Sequence, residues 1–237
     1  MNRAARIALI VAAALASLGF LALAAWQVQR LAWKEDLIAR IERQLKAEPE
    51  ALPPQAAWAD IGKPDEYRRL RLHGRFEPRE ALVQAVTELG GGHWVLAPLR
   101  LDDGSVVLVN RGFVPPELRA PEQHAAPTGP VQLIGLLRLT EPNGGPLRKN
   151  EPAEDRWYSR DVAGIAARLQ LSGPVAPFFI DESAEPAQPR RAPRPGLTVL
   201  HFANNHAVYA ATWLALAVMT AAAAGYLVRE ERRRLPS

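Results

Sequence analysis

One histidine lies at the entrance to a long uncharged segment. His206 directly precedes residues 207–228, which contain no charged side chain. An ionisable group at the edge of such a segment is costly, which suggests a function or a specific partner. A helix turns by about 100° per residue, so Tyr209 and Trp213 lie within about 60° of the imidazole. Imidazole is a common ligand of haem iron, and aromatic side chains suit the apolar body of a porphyrin.

Two interpretations of His206 are open from these residues alone. In the first, it is an axial ligand of haem iron, and the two aromatic rings lie beside the macrocycle. In the second, its imidazole hydrogen-bonds to lipid headgroups or to Asn204 and Asn205. The same helical stripe continues with small residues, which allow another helix or a flat macrocycle to approach closely: Ala217, Thr220, Ala221 and Ala224.

Two arginines in the middle of the chain are further candidates. Arg111 lies between Asn110 and Gly112 after a hydrophobic strand, and Arg160 precedes Asp161. Either guanidinium has the chemistry to bind a haem propionate or the acidic surface of a partner. The favoured interpretation is structural: Gly112 forms a β-bulge, and each arginine belongs to an internal ion pair.

Several other kinds of chemistry find no support in the sequence. The chain contains no cysteine and two methionines, which excludes disulfides and thiolate ligands and disfavours a copper chaperone. It contains no catalytic or nucleotide-binding signature, so we expect that it is not an enzyme. The remaining histidines have no partner at metal-ligand spacing and are expected to be solvated or packed: His73, His93, His124 and His201.

The net charge of +4 is located at the two ends of the chain. Residues 1–25 and 207–237 hold 6 arginines and 2 glutamates, whereas residues 26–206 hold 23 basic and 23 acidic residues. The middle of the chain is therefore neutral, which argues against a basic groove for nucleic acid.

Two segments have the length and composition of membrane spans. Residues 7–25 contain no charge and extend about 28 Å as a helix, and residues 207–228 carry aromatic residues near both ends. A cleaved secretory signal is the alternative for the first segment, and a buried helix of a soluble protein is the alternative for the second.

The basic residues predict which way the spans run. Arginines lie in residues 1–6 and in residues 229–237, outside both spans. The positive-inside rule then places both termini in the cytoplasm and residues 26–206 in the periplasm of a bacterium. The predicted location is the bacterial cell inner membrane.

The region between the spans is predicted to be mainly β-sheet. Its N-terminal part continues the first span as an amphipathic helix that Pro49 ends, and residues 115–130 and 184–196 are Pro-rich loops. Asp161 is placed to cap a short helix over residues 162–169. Alternating apolar residues predict strands: residues 67–76, 82–86, 94–101, 106–114, 131–139 and 177–180. The predicted fold is an α+β membrane protein, with two transmembrane helices flanking a β-rich, mainly antiparallel extracytoplasmic domain.

Six motifs, in this order, resemble one known family. They are Trp26-Gln27-x-x-Arg30-Leu31-x-Trp33-Lys34, Tyr67-Arg68-Arg69, Gly74-x-Phe76, Val109-Asn110-Arg111-Gly112-Phe113-Val114-Pro115, Trp157-Tyr158-x-Arg160-Asp161 and Asn204-Asn205-His206-x-x-Tyr209-Ala210-x-Thr212-Trp213. The chain from residue 26 to residue 213 is thus similar to the surfeit locus protein 1 family of cytochrome c oxidase assembly factors.

The resemblance implies a function and a cargo. It implies that the protein helps to mature oxidase subunit I, that it handles haem a, and that His206 is the axial ligand. The implied partners are subunit I, haem a synthase and membrane lipid, and a homo-oligomer is also allowed. The alternative is a scaffold that stabilises a subunit I intermediate without binding haem.

Overall fold

The computed structural model describes residues 3–145, 148–184, 192–198 and 204–233. They fall into two compact units, one within residues 1–40 and 201–237, the other within residues 41–200. The predictions for His201, Arg234 and residues 185–191 of the second Pro-rich segment concern positions outside the described residues.

The first unit is a pair of long helices. α1 is Arg3–Lys46, whose last residues belong to the second unit, and α3 is His206–Arg233. Both helices are long and apolar enough to cross a membrane by length and composition, and most of each apolar stretch is exposed. Burial inside the protein, which the soluble-protein alternative for residues 207–228 requires, is therefore not observed.

The less exposed residues of the two helices recur at alternating spacings of four and three. This repeat brings side chains onto one seam along each helix, as in helices that pack side by side. On α1 the seam consists of Arg6, Ile10, Ala13, Ser17, Phe20, Ala24 and Gln27. On α3 it consists of His206, Ala210, Trp213, Ala217, Thr220, Ala224, Leu227 and Glu231.

The second unit is built on a seven-stranded sheet. Its strands are β1 (Glu50–Ala51), β2 (Arg69–Phe76), β3 (Ala81–Thr87), β4 (Gly90–Leu101), β5 (Val106–Val114), β6 (Pro130–Leu139) and β7 (Val175–Glu182). The order is β1-β2-β6-β7-β5-β4-β3, and β2 also pairs with β4. Because β2 pairs with both β6 and β4, five strands close into a barrel, and β1 and β3 lie outside the ring.

Alternation along the strands fills the barrel with apolar side chains. The interior holds residues from all five barrel strands together with Trp58, whose ring packs edge-on against Phe178 with centroids 5.8 Å apart. The inward-facing residues are Leu70, Leu72, Leu99, Val107, Val109, Leu133, Leu137, Phe178 and Ile180. Burial of these side chains is the main stabilising contribution of the barrel.

A second apolar cluster lies on the outer side of the barrel. The short helix α2 (Val162–Arg168) packs there, and Asp161 caps it by accepting a hydrogen bond from the N–H of Gly164 at 3.1 Å. Every residue of β5 is buried, because one face of this strand lines the barrel and the other is covered by the second cluster. The predicted cap and short helix are thus confirmed.

The predicted strands and fold class are also confirmed. Each predicted strand is present, and Gly104 has a φ of 82° in the turn between β4 and β5. The pairings are antiparallel except β1 with β2 and β5 with β7, which are parallel. The sequence did not predict β1 or the closure of the barrel, because both depend on pairing between distant segments.

Candidate functional site

Contacts along the seam hold α1 and α3 antiparallel. The pairs, from one end to the other, are Arg6 with Glu231, Ser17 with the carbonyl of Ala217, Phe20 with Trp213, and Gln27 with His206. Residue numbers rise along α1 as the numbers of the partners fall along α3. Ala217 at the start of the stripe of small residues is therefore packed against the first helix, because it is 1% exposed and its carbonyl accepts from Ser17. Thr220 and Ala224 are half-buried, whereas Ala221 is exposed.

The imidazole of His206 lies half-buried at the first residue of α3. Its Nδ1 is 2.7 Å from Oε1 of Gln27, a side chain that is buried on α1. An amide oxygen accepts hydrogen bonds and does not donate them, so this contact favours the tautomer that carries a proton on Nδ1. Nε2 makes no hydrogen bond within the part of the chain that the structure describes.

The two aromatic residues near His206 have different surroundings. Trp213 stacks on Phe20, with centroids 5.6 Å apart and 21° between the ring planes, so the first helix covers one face of its ring. Tyr209 is 53% exposed, and its backbone N–H donates to the carbonyl of Asn205 in the first turn of α3. Only Tyr209 of these two rings is freely accessible.

An unpaired acceptor lies two residues before His206. The side-chain oxygen of Asn204 is buried and accepts no hydrogen bond from any residue that the structure describes. A buried polar atom without a partner is unusual in a folded protein. Among the residues that the structure describes, the segment 204–213 therefore combines an imidazole nitrogen and an amide oxygen that have no hydrogen-bond partner with an exposed aromatic ring.

Arg111 is a buried structural residue. Its side chain is 1% exposed, and it donates to the carbonyls of His124 at 2.8 Å and Ala125 at 3.1 Å. Its Nη1 also lies 3.7 Å from the carboxylate of Glu80. Within the described residues the guanidinium thus ties the loop after β5 to the barrel, and no face of it is exposed to a propionate or to a partner.

Gly112 forms the predicted bulge. Trp94 and Leu96 of β4 are separated by one residue, whereas their partners on β5 are separated by two, which places the extra residue at Arg111 and Gly112. Gly112 has a φ of 128°, and a Cβ there would lie 2.3 Å from the backbone of Arg194. Glycine is required here by both the backbone conformation and the close approach.

Asp181 on β7 is the centre of a buried polar network. It is 3% exposed and accepts from the side chains of Asn110 at 2.8 Å and Thr198 at 3.0 Å. The guanidinium groups of Arg138 and Arg160 lie 3.3 Å and 3.5 Å from its oxygens. Asn110 and Arg160, two of the sequence candidates, therefore meet at one carboxylate inside the domain.

Arg160 has a second partner at Glu141. Its side chain and backbone N–H both donate to that carboxylate, and its guanidinium stacks 4.8 Å from the ring centroid of Phe179. Burial raises the pKa of Glu141, but the hydrogen bond and the charge of Arg160 outweigh burial and lower it below 4.5. Asp161 caps α2 and also accepts from the N–H of Asn143. Arg160 and Asp161 therefore both have partners inside the domain.

The remaining described histidines do not form a ligand set. His73 is exposed and pairs with Asp102 at 2.7 Å, and His124 bonds to the carbonyl of Leu118 and to Glu80. The Nδ1 of His93 is buried without a partner among the described residues, and burial lowers its pKa. In the same part of the chain, no three His, Cys, Asp or Glu side chains are placed for a metal ion.

Two features of these sites are not evident from the sequence. Gln27 lies within a motif, and the signal that could identify its role is a polar residue at the same end of the helix pair as His206. The partners of His124 are also hidden, because Glu80 and Arg111 are far away along the chain and meet it only in the folded barrel.

Comparisons with known proteins are consistent and extensive. The pattern of the SURF1 family matches residues 14–218. Surfeit locus protein 1 of Homo sapiens is 35% identical over 218 residues, which cover 84% of this chain and 70% of the human protein. The same protein of Rattus norvegicus is 34% identical over 84% of this chain and 68% of its own length. A SURF1-like protein of Monosiga brevicollis is 34% identical over 90% of this chain and 84% of its own length.

Proposed function

Because the chain belongs to the SURF1 family, we propose that it is an assembly factor for haem–copper cytochrome c oxidase. It binds haem a as a transient cargo at the membrane boundary and assists insertion of this haem into subunit I. Its partners are then subunit I and haem a synthase, and the β-rich domain supplies the surface that contacts one of them.

The observation that carries this proposal is the state of His206. Its Nδ1 is hydrogen-bonded to Gln27, so Nε2 is the nitrogen that would bind iron. The surroundings fit a haem, because Tyr209 offers an exposed aromatic ring three residues after the imidazole. When bound, haem a would supply the iron that Nε2 of His206 would hold. A single axial ligand at a half-buried site also allows the cargo to be released.

The two helices support a membrane location. Their apolar stretches are exposed, which is costly in water and favourable in lipid. We place the protein in a bacterial inner membrane with both termini in the cytoplasm, because arginines cluster at the two ends of the sequence. Residues 26–206 then face the periplasm, and His206 lies at that side of the membrane.

The experiment that tests the cargo is a visible spectrum. The full-length protein is purified in detergent from cells that synthesise haem a, and its reduced spectrum is compared with that of His206→Ala. We expect a haem a band in the wild type that is lost or shifted in the variant, at equal yield of folded protein. Equal pigment in both proteins would place haem elsewhere and contradict the role of His206.

A protein-only scaffold is the second candidate function. One observation favours it: Gln27 gives His206 a partner inside the helix pair, and Phe20 does the same for Trp213. In this case the two residues serve helix packing alone. Colourless preparations of both the wild type and His206→Ala, together with capture of subunit I by both proteins, would favour the scaffold over the haem carrier.

A further inference from the structure

We propose that Gln27 is a positioning residue for His206, and that it selects Nε2 as the nitrogen that binds iron. The proposal rests on the haem function proposed above, because that function supplies the iron. It goes further in assigning a role to the first helix, which then provides half of the site although it contains no haem ligand.

The tautomer of the ring is the property that Gln27 controls. A neutral imidazole carries its proton on either nitrogen, and only the other nitrogen has a lone pair for a metal. A buried acceptor at 2.7 Å from Nδ1 stabilises the form that is protonated there. Metal-binding histidines commonly donate their second N–H to such an acceptor, which also fixes the orientation of the ring.

The surroundings of Gln27 suit this role. The residue is 8% exposed, so water competes weakly for its amide oxygen. Two turns earlier on the same seam, Phe20 stacks on Trp213 and holds the two helices in register at this end of the pair. The acceptor is therefore presented to the ring before any cargo arrives.

The choice of an amide over a carboxylate also follows from the proposed function. A carboxylate on Nδ1 raises the basicity of a histidine ligand and strengthens its bond to a metal. The neutral amide of Gln27, with its oxygen towards Nδ1, favours this tautomer without adding a charge at the membrane boundary. This combination positions the ligand and leaves the bond weak enough for haem to be passed on.

The first test measures the tautomer without haem. The full-length protein, labelled with ¹⁵N-histidine and held in lipid nanodiscs, is studied by NMR, and the His206 signals are assigned by their loss in His206→Ala. We expect the Nδ1–H form in the wild type and in Gln27→Glu, and a mixture of both forms in Gln27→Leu. Ser17→Ala is the matched control, since it removes another interhelical hydrogen bond without contacting the ring.

The second test measures the release of haem a to apomyoglobin. We expect Gln27→Leu to release haem about 10- to 100-fold faster than the wild type, and Ser17→Ala to remain within about 2-fold. Gln27→Glu keeps the acceptor and should release haem no faster than the wild type. Thermal melting of each variant checks that the helix pair is intact, and the glutamate variant still tests the proposal where the leucine variant unfolds.

Three results would overturn the proposal, and they have different meanings. A single Nδ1–H form in Gln27→Leu would show that another group sets the tautomer. Unchanged release from this variant, despite mixed tautomers, would show that the tautomer does not limit binding. If the tautomer follows Gln27 but the wild-type protein binds no haem a, the proposed haem function fails, and Gln27 serves helix packing alone.

Discussion

At the scale of single residues, the buried arginines of the motifs hold the fold together and are not presented to an external partner. Arg111 is almost fully buried, and its guanidinium reaches two carbonyls of the loop after β5. The planar guanidinium of arginine has several N–H donors and reaches both carbonyls at once, whereas the ammonium group of lysine is a single point of charge. The motif around Arg111 therefore preserves the connection between loop and barrel.

The substitution Arg111→Lys tests this role. We expect it to destabilise the domain by about 1–3 kcal/mol, because at least one buried carbonyl loses its donor. Thermal and urea unfolding of the full-length protein in detergent, followed by circular dichroism, measure the effect. Arg71→Lys on the exposed side of β2 is the control and should change stability by less than about 0.5 kcal/mol. A similar loss in both variants would contradict a specific role for the guanidinium.

At the scale of elements, a polar network joins strands that are distant in sequence. Asp181 on β7 binds side chains from β5 and β6, and Arg160 links it to Glu141 at the end of β6. Arg160 immediately precedes the residue that caps α2. The network thus fixes the start of this helix relative to the barrel.

Acid should weaken this network once the pH falls below the usual pKa of a glutamate, which is 4.5. The pKa of Glu141 is lowered in the folded protein, so its ionised form stabilises the fold above its usual value of 4.5, and this contribution is lost as the pH falls through the lower folded value. We expect Glu141→Gln to cost about 1–2 kcal/mol at pH 7. The difference from the wild type should shrink only below pH 4.5.

Unfolding curves of both proteins between pH 7 and pH 2 measure this difference. A gap between the wild type and Glu141→Gln that persists unchanged at the lowest pH would mean that the ionised carboxylate is not what Arg160 requires. A gap that closes well above pH 4.5 would mean that the pKa of Glu141 is not lowered.

At the scale of the whole molecule, the proposed membrane topology makes a testable prediction. The sequence contains no cysteine, so a cysteine introduced into it is a unique reporter. The arginines at both ends favour cytoplasmic termini, and the uncharged segments have the length of membrane spans. We therefore expect the ends of the chain and its middle to be accessible from opposite sides of the membrane.

Single-cysteine variants test this topology. In intact cells, a membrane-impermeant maleimide should label Glu88→Cys, an exposed site in the turn after β3, and should leave Ser237→Cys unlabelled until the membrane is opened. Labelling of both sites before lysis would contradict two spans with cytoplasmic termini. The visible spectrum of each variant provides a control for the integrity of the helix pair.

Much of this protein follows from its sequence because the signals are local. Uncharged segments, alternation in strands and the cap at Asp161 depend on neighbouring residues. The closure of the barrel through β2 and β4, the burial of Arg111 and the pairing of Gln27 with His206 depend on residues far apart in the chain. Periodicity tells which face of an element is apolar, but only tertiary packing decides which face of another element it meets.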